Sequence, residues 1–117
     1  MIPFLFSGGC MKSREVEKEK LFANFFKALA HPVRLSIVRK LADGEVCVCD
    51  LKGKIGVDLP TISKHLSVMR KTGLVIYEKR GLWVFYKLED PKVFQVLDLV
   101  EGMILQQARR QLELVDG

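Results

Sequence analysis

Three cysteines are too few and too unevenly placed for a disulfide framework: the count is odd, and Cys47 and Cys49 stand one residue apart. No apolar run approaches the length needed to cross a bilayer. The opening Met1–Cys10 stretch is apolar and ends in small residues and a cysteine, but it lacks a basic start, contains Pro3 and is too short for an export signal. Paired carboxylates, a nucleophile–base pattern and a phosphate-cradling glycine loop are missing too, so no enzymatic activity and no obligatory cofactor are expected. Internal repeats and low-complexity tracts are likewise missing. Together these absences point to a cytoplasmic protein that keeps its thiols reduced.

What is present fits one compact domain. The chain has 117 residues, of which 49% are apolar, with a net charge of +5. The position of that charge says more than its sum. Between Pro60 and Lys87 lie Lys64, Arg70, Lys71, Lys79, Arg80 and Lys87 against the single acid Glu78. This stretch carries the chain's whole excess, a local basic surface suited either to phosphate contact or to plain solvation.

The apolar spacing predicts the elements. Residues 1–13 show no periodicity and are expected to form a loose arm ahead of a domain over 14–117. Met11 would also make a normal start, and a chain beginning there lacks Cys10, so two starts are carried forward. Leu21, Phe22, Phe25, Phe26 and Leu29 mark one face of a first helix ending at His31-Pro32. A second helix runs to about Ala42, burying Val33, Leu35, Ile37, Val38 and Leu41 and exposing Arg34, Arg39 and Lys40. A short segment over Val48–Ile55 precedes Asp58, a good N-cap for a helix over Leu59–Thr72 that turns Ile62, Leu66 and Met69 inward. Two β-branched and aromatic runs, Leu74–Lys79 and Leu82–Lys87, flank Arg80-Gly81 as a hairpin with a basic tip. A last helix starts near Glu89 and runs to about Leu114. Apolar residues cover two of its sides, so it must pack on its own domain and on something else.

This order is a winged helix-turn-helix: mainly α, with one small β-hairpin. In that fold a short helix braces a second one, whose polar, basic start enters the major groove of double-stranded DNA. Thr61 and Ser63 are candidates for phosphate or base-edge contact, with Lys64, His65 and Arg70 adding charge and hydrogen bonding and Lys79 and Arg80 reaching the neighbouring backbone or minor groove. His31 is expected as a helix-boundary residue, and Trp83, Phe85 and Tyr86 as hairpin packing.

Three pieces, in order, resemble the ArsR/SmtB metalloregulatory repressors: Lys27 to Leu35 (KALAHPVRL), Cys47 to Leu51 (CVCDL), and Thr61 to Leu66 (TISKHL) continuing through Lys71 to Val75 (KTGLV). The likeness spans about residues 20–113. It implies a homodimer joined by the first and last helices, bound to operator DNA and released by an effector.

Cys47 and Cys49 are the candidate effector ligands. Thiols at i and i+2 point apart on a regular helix and share a face only on extended backbone, so one ion held by both needs a non-helical start to the short helix. Thiolates select soft or thiophilic species: arsenite, antimonite, cadmium, lead, mercury, copper(I), or zinc in a fuller site. The arsenic-responsive members commonly carry a third cysteine three positions after the pair, where this chain has Lys52. In cadmium- and lead-responsive members, arm cysteines from the other protomer complete the site, a part Cys10 could take here. Three thiolates suit As(III) or Sb(III) best. Cd(II) or Pb(II), and thiol oxidation or persulfide sensing, remain as alternatives. The last helix has no histidine, only Asp98, Glu101 and Glu113, which argues against the zinc site that some members place there.

Overall fold

The computed structural model describes residues 12–116, so the larger part of the expected arm, Cys10 included, lies outside the described residues. Helix α1 (Ser13–Leu29) leads into α2 (Pro32–Lys40), followed by a two-residue strand β1 (Val46–Cys47), α3 (Val48–Ile55), α4 (Leu59–Lys71), β2 (Val75–Arg80), β3 (Trp83–Leu88) and α5 (Val93–Asp116). The helix-turn-helix is α3–α4, and β2–β3 form the wing. The expected helices and hairpin strands occur in the expected order, with ends shifted by at most four residues, and β1 is added to them.

Local chemistry sets the helix boundaries. His31 caps α2: its extended backbone precedes Pro32, and its Nδ1 accepts the Val33 N–H at 3.1 Å. Asp58 caps α4, accepting from the Thr61 N–H at 3.4 Å and from its hydroxyl at 2.7 Å, with Pro60 in the first turn. Gly56 ends α3 in the left-handed region, φ 79°, where a side chain would be strained.

One core joins these pieces. Ile37 and Val38 of α2, Leu51 of α3, and Ile62, Leu66 and Met69 of α4 are all at most 1% exposed, and Val75, Tyr86 and Val93 close the cluster. Ile62, Leu66 and Met69 point inward as their spacing predicts. Arg34 departs from its expected exposure. It is half-buried, and its Nη2 donates to the Lys27 carbonyl at 3.0 Å, tying α2 to the last turn of α1.

The sheet has one strand more than the expected hairpin. Its order is β1-β3-β2, all antiparallel, with Val46 opposite Tyr86 and Cys47 opposite Phe85. The wing is therefore bonded, through β1, to the residue that opens α3.

Candidate effector site and nucleic-acid interface

Cys47 ends β1 and serves as N-cap of α3, with extended backbone at φ −69°, ψ 140°; Cys49 lies in the first helical turn. This change from strand to helix between them brings both sulfurs to one side. The two Sγ atoms are 2.7 Å apart, and either thiol can donate to the other. Both are free thiols, Cys47 buried and Cys49 exposed. The hydrogen bond that the Cys49 thiol donates to Cys47 is the main cause that raises the Cys49 thiol above its ordinary pKa, since it favours the protonated form.

The pair opens onto a groove of about 330 Å³ between the start of α4 and the wing, lined by Leu59, Ser63, Leu66, Leu82 and Trp83 among others. Among the described residues no group of three cysteine, histidine or acidic side chains gathers to hold a metal ion. Lys52, in the next turn of α3, is exposed.

The residues expected to face DNA fall into two groups. Ser63, Lys64 and Lys79 are exposed. The others, of which Arg70 and Arg80 are exposed as well, are engaged within the protein. The Thr61 hydroxyl donates to Asp58. The Arg70 guanidinium lies 4.9 Å from the Tyr77 ring centroid. Half-buried His65 packs its ring 4.2 Å from that of His31. Burial, then the nearby His31 and Arg34, lower the His65 pKa from its ordinary 6.5. Arg80 donates to both Glu45 oxygens at 2.7 and 2.8 Å and to Glu78, and it covers the Phe85 ring. Those carboxylates raise the Arg80 pKa further.

Glu45 and the groove residues were not legible as functional. The alternation in Glu45-Val46-Cys47-Val48 was the one available signal for β1, and it is too short to distinguish from a loop. Nothing in the order of residues places Leu82 and Trp83 beside the cysteines.

A family model described as bacterial regulatory protein, arsR family, matches residues 31–77. The chain is 39% identical over 89 residues to an uncharacterized HTH-type transcriptional regulator of Methanocaldococcus jannaschii, covering 75% of this chain and 100% of that one. It is 47% identical over 64 residues to the arsenical resistance operon repressor of Escherichia coli, covering 54% and 55% respectively. In structure it is similar to a homodimeric winged helix-turn-helix DNA-binding domain from Mycobacterium bovis, with a TM-score of 0.73 and 26% identity over 85% of this chain and 94% of that one.

Proposed function

The chain belongs to the arsR family of bacterial regulatory proteins, DNA-binding transcriptional repressors rather than enzymes, and from that premise we propose that it leaves its operator when a thiophilic ion, As(III) or Sb(III), bonds Cys47 and Cys49. The observation that carries this reading is the 2.7 Å approach of the two sulfurs at the start of the helix that braces α4.

The geometry also supplies a route to release. An ion bonded to both sulfurs fixes the distance between them. The two ends of the pair are held differently. Cys47 is paired with Phe85 in the sheet, whereas Cys49 is two residues from Leu51, which is fully buried. A change in the sulfur separation is passed either to the start of α3 or to the attachment of β1 to the wing. Both alter the spacing of α4 and the hairpin, so an ion that favours the altered spacing disfavours the DNA-bound state.

We infer that Ser63, Lys64 and Lys79 make direct DNA contacts, with Thr61, His65, Arg70 and Arg80 shaping that surface. The functional unit is a homodimer in which α1 and α5 pair with their counterparts. Leu21, Phe22 and Phe26 on α1, and Leu99, Met103 and Ile104 on α5, are more than half exposed. In the arsR-family reading Cys10, from the arm, is the candidate third ligand.

The test is a titration of the protein–operator complex with arsenite, antimonite, cadmium, lead and zinc. Arsenite or antimonite should release the DNA, while Cys47→Ser and Cys49→Ser should bind operator normally and stay bound. A complex indifferent to every thiophilic ion would sink the proposal. Chains beginning at Met1 and at Met11 decide the part played by Cys10: an equal response removes it from the ligand set.

A further inference from the structure

The wing ends in a two-residue loop. Arg80 pairs with Trp83 across the hairpin, so Gly81 and Leu82 form the tip. Gly81 has the left-handed φ of 63° that the first loop position of a type II′ turn favours, while Leu82 stays outside that region. The turn therefore explains the glycine and makes no demand for an apolar neighbour, where asparagine, aspartate or serine would serve. The core makes none either. Leu82 is 94% exposed, the most exposed large apolar side chain among the described residues, and Trp83 beside it is 56% exposed.

Charge around the tip points to what covers it. Arg80 flanks the loop, but its guanidinium is drawn back along the sheet, bidentate to Glu45 and lying over Phe85. Leu82 is left as the foremost side chain, with exposed Lys79 behind it to meet a phosphate. Leu82 also borders the same groove as Leu59 and Ser63 at the start of α4. With α4 in the major groove, a tip held beside its first turn meets the neighbouring minor groove.

An apolar side chain there has a use that lysine or arginine lacks. A leucine pushed between two base pairs from the minor groove replaces part of their stacking and kinks the duplex by about 20–90°. Pyrimidine–purine steps unstack most easily, so such a wedge selects them without a hydrogen bond to any base edge. Resting on the reading of the wing as a DNA-contacting element, we propose that Leu82 is a minor-groove wedge that enters a pyrimidine–purine step in each operator half-site and bends the DNA. Lys79 then holds the wing on the backbone, and Leu82 chooses the step.

The experiment uses the full chain and its operator duplex, labelled at both ends so that energy transfer reports the bend. The natural chain is expected to bend the duplex. Leu82→Ser, at a side chain too exposed to matter for folding, should lose most of the bend and about tenfold in affinity, as the loss of a buried leucine's apolar surface implies. Leu82→Met should keep both. The slope of log K against log salt should be the same for all three chains, because no phosphate contact is removed. Base analogues scanned through one half-site then identify the groove. Diaminopurine in place of adenine adds an amino group on the minor-groove side and should block the wedge at one step. Uracil in place of thymine removes a major-groove methyl and should leave the Leu82→Ser difference unchanged.

Equal bending by the natural chain and Leu82→Ser overturns the inference. So does a Leu82→Ser defect that uracil abolishes and diaminopurine leaves alone, because the side chain then touches a thymine methyl in the major groove. A fall in sedimenting mass on Leu82→Ser overturns it too, making the tip a contact between protein chains. In these three cases the proposed function stands. A chain that binds no operator duplex overturns both readings at once.

Discussion

At Arg80 the guanidinium is bidentate to Glu45 and also bonded to Glu78, so two carboxylates already offset its charge. Exposed ion pairs of this kind add little to stability, but they do set where a charge is available. Lys79, beside it on the wing, is exposed and makes no ion pair among the described residues. The two neighbours should therefore separate in a salt titration of operator binding. Lys79→Ala is expected to reduce the slope of log K against log salt by about 0.9, the release of one phosphate counterion. Arg80→Ala should change that slope less, and Glu45→Gln should steepen it by freeing the guanidinium. An Arg80→Ala effect as large as that of Lys79→Ala would mean the carboxylates let go on DNA binding.

Among the elements, α2 and α4 meet through the His31–His65 ring contact, so the cap of one helix touches the second helix of the helix-turn-helix directly. Burial keeps the His65 pKa below 6.5, and His31 and Arg34 push in the same direction. The unfolded chain then binds this proton more readily than the folded one, so stability rises with pH. The contribution is complete above the ordinary 6.5 and is lost as pH falls toward the lower folded value. Denaturant midpoints measured from about pH 7 to about pH 5 should fall for the natural chain and fall less for His65→Gln. Equal slopes would show that the ring contact does not resist protonation.

Seen whole, the chain is more extended than its length warrants. Its radius of gyration is 18.8 Å, against about 13 Å for a compact chain of this size. The last helix, α5, has 24 residues and is about 36 Å long, and its apolar residues beyond Leu97 are largely exposed. Leu99 is 72% exposed and Met103 62%. A self-paired α1–α5 layer would bury this surface and set two α4 helices for successive turns of an operator. Leu99→Glu combined with Met103→Glu should halve the mass seen in sedimentation, keep the helical circular dichroism and weaken operator binding. A doubly substituted chain that stays dimeric would place the interface elsewhere.

The sequence by itself determined the order of the helices and the hairpin, the helix boundary at His31, the cap at Asp58, the inward face of α4 and the family likeness, because each is written in local spacing: period 3.6, period 2, and a polar atom three residues from the N–H it satisfies. It also singled out the cysteine pair and required a break in the helix there, which the strand-to-helix change between Cys47 and Cys49 provides. Only the tertiary structure decided which charges are free and what surrounds the thiols. Glu45 meets Arg80 across 35 positions, and Leu82 and Trp83 reach the cysteines only because β3 pairs with β1. Such contacts depend on how strands and helices pack, and a side chain's partner at that range leaves no period in the sequence to read.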